Sequence, residues 1–261
     1  MAQQEFERLV NILVDLREKC PWDRKQTIQS LRQMTIEETY ELADAIIDED
    51  WKNIKEELGD LMLHLVFYAK IASEQNRFTI EDVVTGICEK LILRHPHVYP
   101  PQVAHADLAQ VRDEEDVKKN WEKIKLQEGK ESVLSGVPVS LPSIVKAMRL
   151  QEKAKQVGFE WETKEDVWLK IEEELGELRE VVDTASKERQ EEELGDLLFS
   201  IVNYSRFLKI DADAALEHTN KKFKRRFMGM EKMAHANGST LNDMTLSEMD
   251  AIWNNIKQAE K

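Results

Sequence analysis

The 261-residue chain is poor in the residues that make tight turns and cross-links, with nine glycines, six prolines and two cysteines. Cys20 and Cys88 alone give no basis for a disulfide framework, so a reducing cytoplasm is the expected setting. Aromatic residues make up only 7%. No convincing stretch alternates apolar and polar residues as a half-buried strand does, and no apolar run approaches the length that spans a bilayer. The opening MAQQEFERLV has no apolar signal core. Positive charge is also in deficit: 37 Lys and Arg against 51 Asp and Glu leave a formal charge of −14. That balance argues against sequence-blind contact with nucleic acid or a membrane surface, both of which need cationic patches. An anion bound by such a protein needs a divalent cation between the two.

What is present is helical periodicity. Apolar residues recur at steps of three and four, as in Trp51, Ile54, Leu58, Leu61, Leu65, Tyr68 and Ala72, and again in Leu194, Leu197, Ile201, Tyr204 and Leu208. Thr79–Asp82, Thr163–Asp166 and Thr245–Glu248 have the spacing of capping boxes at helix starts. The pattern predicts an all-α protein with helices near 4–19, 27–48, 50–74, 79–93, 113–128, 143–156, 164–185, 187–208, 211–236 and 246–260. Gly, Ser and Pro concentrate in EGKESVLSGVPVSLPS, which places a linker at 129–142 between a first repeat, 1–128, and a second, 143–261.

The two halves match by position. EETYE (37–41) and EELGE (173–177) are each followed by fifteen residues and then ELGDL. Lys90 and Arg94 answer to Lys222 and Arg226, and Trp121 and Lys125 answer to Trp253 and Lys257. Equal spacing of unlike side chains points to duplication.

On a helix, residues three apart share a face. Glu174 and Glu177 therefore point one way, and Glu193 and Asp196 do so on the following helix. A short connection makes those helices antiparallel neighbours, so the two acid pairs face each other. Packed carboxylates repel unless something neutralises them, and an all-oxygen shell suits Mg²⁺ or Mn²⁺. Glu38, Glu41, Glu57 and Asp60 offer the same set in the first repeat, a candidate second site. A single ExxE is most often a solvated helix face; the doubled pair at fixed separation tips the reading to metal. A di-iron bundle would want Glu-x-x-His, which is missing from these motifs. Lys222 and Arg226, four apart, suit phosphate oxygens, and Trp253 with Lys257 a turn later suits a base, although a helical tryptophan is more commonly core. Together they describe a nucleotide polyphosphate site.

The paired EExxE…ExxD boxes, CPWD, RHPHVY, LSGVPVSLPS followed by RLQEKAKQVGFEW, and the late W-x-x-I-K resemble the MazG nucleoside triphosphate pyrophosphohydrolases over essentially the whole chain. The resemblance implies an all-α NTP pyrophosphatase fold in two tandem MazG-like repeats, Mg²⁺ dependence with Mn²⁺ as a substitute, a homodimer, and cleavage of nucleoside triphosphates to monophosphate and pyrophosphate with broad base preference. It implies Glu174, Glu177, Glu193 and Asp196 as metal ligands. It also places Lys170, Glu173, Glu174, Arg189, Glu192, Asp196, Lys222, Arg226, Trp253 and Lys257 around the nucleotide. Glu173 or Glu192 would help a water attack the α-phosphorus in line.

The copies are unequal. Lys170 and Arg189 correspond to Met34 and Asn53, so the first repeat keeps four acids without two cations. His64 stands where the second repeat has Ser200 and reads as a hydrogen-bonded rim histidine or an added metal ligand; His95 and His97 read as a helix-ending loop. The second repeat is expected to carry most of the activity while the first dimerises. The competing reading is a non-catalytic nucleotide sensor or helical scaffold, which fold alone does not exclude.

Overall fold

The computed structural model describes residues 2–99, 111–127 and 132–260. The chain is all-α: among the described residues there are ten α-helices and no strand. They are α1 (Ala2–Lys19), α2 (Ile28–Ile47), α3 (Trp51–Glu74), α4 (Ile80–Arg94), α5 (Glu114–Gln127), α6 (Ser143–Gln156), α7 (Lys164–Val181), α8 (Lys187–Phe207), α9 (Ala212–Ala236) and α10 (Leu246–Ala259). Residue 128 of the expected fifth helix and residues 129–131 of the expected linker lie outside the described residues. The seventh helix stops at Val181 rather than 185. Gln190 Nε2 donates to the Val182 and Ala185 carbonyls at 3.0 and 3.1 Å, holding the chain in a turn before α8 starts.

Side chains satisfy the first backbone N–H groups of the helices. Thr79, Thr163 and Thr245 each accept from the backbone N–H three residues on, and Asp82, Asp166 and Glu248 accept in return from the threonine N–H at 2.8, 3.0 and 2.7 Å. The box at Thr27 escapes an acid-based pattern because Ser30 supplies the returning oxygen, at 2.9 Å. Short 3-10 turns at Asp23–Lys25, Val133–Gly136 and Leu241–Asp243 are too brief to leave a periodicity in the sequence.

The chain divides into two compact units, residues 1–124 and 125–261. In the first, α2 and α3 form a hairpin across residues 48–50, where Glu49 adopts φ 53° and Asp50 caps α3. Leu13, Leu31, Val66, Phe67 and Ile71 form its core. Thr35 and Tyr68 share a hydroxyl hydrogen bond of 2.8 Å between α2 and α3, and Arg17 ties α1 to Glu74 of α3 at 2.9 Å. In the second, α7 and α8 form the equivalent hairpin, α6 packs on α8 and α9, and α10 packs on α9. Gln151 Nε2 donates to the Phe199 carbonyl of α8 at 2.9 Å, and Arg206 pairs with Glu160 at 2.7 Å. α9 and α10 approach closely at Gly229, where a Cβ would stand 3.1 Å from Ile256 Cδ1.

The apolar stripe that begins at Trp51 is buried only toward its end, where Tyr68 packs on the core and Ala72 is fully buried. Trp51 is 79% exposed and Leu65 60%, whereas Val66, Phe67, Ala69 and Ile71 are buried. α3 is apolar on more than one side, and among the described residues the sides that meet α1, α2 and α4 are covered while Trp51, Leu58 and Leu65 stay exposed. Leu194 and Ile201 on α8, and Leu208 just after it, are likewise exposed while Val202 is buried.

Leu31 is 1% exposed in the middle of the first core. Leu31→Ala should lower stability by about 2–5 kcal/mol, read as a shift of the denaturation midpoint; a shift under about 0.5 kcal/mol would contradict this packing.

Candidate functional site

In the second unit the α7–α8 hairpin brings three of the expected ligands together. Glu174 and Glu177 on α7 and Glu193 on α8 each offer a carboxylate oxygen, and these oxygens all lie within 4.8 Å of one another. Asp196, one turn beyond Glu193 on α8, is not part of that mutually close group. The acids are also unusual in their burial: Glu174 is 5% exposed and Glu193 only 1%. Charged side chains are taken that far from water only when something compensates them.

Two cations supply part of that compensation. Lys170 Nζ lies 2.6 Å from Glu174 and 3.0 Å from Glu173. Arg189 pairs with Glu192 at 2.7 Å and makes a close contact with Glu193 through its other terminal nitrogen. Each cation therefore clamps two acids, one buried and one exposed, from a turn earlier on the same helix. The contact with Glu174, followed by that with Glu173, holds the Lys170 ammonium well above the usual lysine range. Glu192 leads the causes that raise the Arg189 pKa, ahead of Glu193.

The compensation is incomplete. Glu193 Oε2 is fully buried and has no hydrogen-bond partner. Partial desolvation raises the Glu177 pKa, and the facing Glu193 carboxylate, at hydrogen-bonding range, raises it further. Two carboxylates are both acceptors, so no bond forms between them unless a proton or a cation lies between. A buried charged acceptor left unpaired costs upwards of about 1–3 kcal/mol. A hard divalent ion with oxygen ligands fits this donor set, because it satisfies the orphaned oxygen and cancels the repulsion together.

The first unit repeats the geometry without the cations. Glu38, Glu41 and Glu57 also place ligand oxygens within 4.8 Å of one another, and Asp60 is not in the group. Among the described residues no lysine or arginine forms an ion pair with these acids; Met34 and Asn53 stand at the two equivalent positions. Partial burial and then Asp60 raise the Glu38 pKa, and Glu57 is raised by desolvation and then Glu41. His64 departs from the rim position expected of it. It is 6% exposed and its Nδ1 has no hydrogen-bond partner, because α3 carries it one turn before Phe67 into the core. His95 does end a helix: it caps α4, its Nδ1 sits 2.6 Å from the Leu91 carbonyl, and its ring meets the Trp121 edge at 5.1 Å.

The remaining expected contacts form a separate cluster where α9 meets α10. Arg226 lies over the Trp253 ring at 5.6 Å, and Phe223 packs on the same ring at 5.4 Å. Lys222 and Lys257 are exposed beside them. Among the described residues no hydrogen bond or ion pair joins this cluster to the carboxylates of α7 and α8. Sequence reasoning missed Glu260, which accepts from both Arg225 and Arg226. The available signal was its position seven residues, two helical turns, after Trp253.

A family model for the MazG nucleotide pyrophosphohydrolase domain matches residues 26–99 and 162–228. A nucleoside triphosphate pyrophosphohydrolase/pyrophosphatase MazG of Thermotoga maritima is 44% identical, covering 98% of this chain and 97% of its own. A nucleoside triphosphate pyrophosphohydrolase of Escherichia coli K12 is 38% identical over 98% of each. The crystal structure of a MazG-related protein from Thermotoga maritima matches 46% of this chain and 98% of its own, at 28% identity and a TM-score of 0.39.

Glu177 binds its proton more readily in the fold than in the unfolded chain. Its contribution to stability is therefore present below the ordinary glutamate range and lost as pH rises through the elevated value. Glu177→Gln should accordingly raise the thermal midpoint of chelator-treated protein near neutrality, and the gain should vanish below about pH 4. A lower midpoint for the variant near neutrality would contradict the crowding.

Proposed function

The chain belongs to the MazG nucleotide pyrophosphohydrolase family, and on that premise we propose that it is a Mg²⁺-dependent nucleoside triphosphate pyrophosphohydrolase whose main site is the α7–α8 hairpin. The reaction splits a nucleoside triphosphate, ribo or deoxy, into monophosphate and pyrophosphate. The observation that carries the reading is Glu193: a carboxylate 1% exposed, with one oxygen unpaired, facing two acids of the neighbouring helix.

Glu174, Glu177 and Glu193 would hold the ion, with Asp196 a turn away and Mn²⁺ an acceptable substitute. The ion would supply positive charge against the phosphate oxygens of the substrate and departing pyrophosphate. Lys170 and Arg189 stand at the edge of the acid cluster, where ammonium and guanidinium groups can meet the polyphosphate. Glu173 and Glu192 are exposed beside them, and either carboxylate can take the proton from a water attacking the α-phosphorus in line. Lys222 and Lys257 add charge, and the Trp253 face offers stacking. Stacking does not read the edges of a base, which supports broad base tolerance and a role in clearing unwanted nucleotides.

The first repeat keeps the acids without the two cations, which supports a minor catalytic part for it. Its exposed Trp51–Leu58–Leu65 face supports a homodimer in which a second copy covers α3. Among the described residues no helix is long and apolar enough to cross a membrane, and the acidic balance supports a cytoplasmic protein that binds no nucleic acid.

Pyrophosphate release from mixed NTPs should need Mg²⁺ and stop with EDTA; Mg²⁺-independent release, or nucleotide binding without release, would favour a sensor instead. Glu174→Ala and Glu193→Ala should each lower kcat/KM by at least about 100-fold, the scale on which loss of charge stabilisation at a reacting centre is felt. Glu38→Ala should cost less than about threefold on the same scale. Equal losses at Glu38 and Glu174 would refute the division of labour.

A further inference from the structure

Glu260 follows the last residue of α10 and reaches two arginines of α9 at once. Its Oε2 accepts from Arg226 Nε at 2.7 Å and lies 2.6 Å from Nη2 of the same residue. Its Oε1 accepts from Arg225 Nε at 2.9 Å and lies 2.8 Å from that residue's Nη2. The two arginines are not alike. Arg225 is 64% exposed, while Arg226 is 14% exposed and lies over the Trp253 ring. Glu260 thus grips one edge of a guanidinium whose face is already set against an aromatic ring. The other edge of Arg226, at Nη1, has no partner among the described residues.

We propose that Glu260 is a positioning residue for nucleotide binding: it fixes Arg226 on Trp253 so that the free guanidinium edge is presented to the substrate's phosphates. This rests on the reading of the α9–α10 cluster as the nucleotide side of the site. An arginine on a flexible stem must lose rotamer freedom each time it binds an anion; one clamped by a carboxylate and a ring has lost it beforehand. Two features separate this role from a plain fastening of α10. The helices are already joined by the Gly229–Ile256 contact and by Phe223 against Trp253. The other repeat also sets an arginine on its tryptophan, Arg94 over Trp121 at 5.2 Å. In sequence Glu128, outside the described residues, follows Trp121 by the same seven positions.

The test is steady-state pyrophosphate release from ATP with Mg²⁺ by full-length wild type, Glu260→Ala, Glu260→Gln, Glu260→Asp and Arg226→Ala, with thermal midpoints measured alongside. Glu260→Ala should raise KM about tenfold, leave kcat within about twofold and barely move the midpoint, the pattern of lost ground-state binding. Glu260→Gln has the same size without the charge and should show the same split, while Glu260→Asp should recover part of the affinity. An unchanged or lowered KM in Glu260→Ala and Glu260→Gln, with KM raised in Arg226→Ala, would overturn the positioning role alone. An unchanged KM in all the variants would overturn it together with the nucleotide reading of α9 and α10.

Discussion

Repulsion among carboxylates that the backbone forces together is the constraint from which the rest of this protein follows. Glu174, Glu177 and Glu193 are brought within reach of one another by two antiparallel helices joined through a short turn, and two of the three are withdrawn from water. Acids crowded in this way find counter-charges or are pushed toward their protonated forms. Lys170 and Arg189 provide one apiece from the preceding helical turn, and one buried oxygen is left over. That remainder distinguishes a site from a solvated acidic face. Exposed acids avoid one another by turning into solvent, and Glu193 has no such freedom.

The first unit holds the same cluster without the counter-charges. Its acids converge equally well, and Glu38 and Glu57 are pushed toward their protonated forms, as Glu177 is in the second unit. Convergence of acids is thus a property of the helical hairpin. Counter-charge at the cluster belongs to the residues one turn earlier, Lys170 and Arg189. Duplication preserved the first property in both copies and the second in one.

Much of this was legible in the sequence because helices write their geometry at short range. The three-residue spacing of Glu174 and Glu177 fixed their common face, and Thr163 with Asp166 marked where that helix begins. Long-range relations were less legible. The stripe from Trp51 to Ala72 marks a helix, but which part of it is covered depends on where the neighbouring helices lie, and the three- and four-residue steps do not say so. His64 fits a rim histidine or an added metal ligand by its spacing from Asp60, which is local, while its burial is set by the turn that leads on to Phe67. The absence of Asp196 and Asp60 from the close groups also needed coordinates, since a three-residue step shares a face but also climbs the helix axis. Glu260 bridges Arg225 and Arg226 across more than thirty residues; its seven-residue step from Trp253 sets its face on α10 but does not say which side chains of α9 it meets.

The near contact of Gly229 with Ile256 has a consequence for anyone wishing to retune this molecule. The arginine and the tryptophan sit on different helices, so their separation is set from behind, by the thickness of the seam between α9 and α10. A methyl group at 229 would stand 3.1 Å from Ile256 Cδ1, so either that side-chain end yields by a few tenths of an ångström or the seam itself widens. In the second case the spacing of Arg226 and Trp253 would be altered by a residue that touches neither.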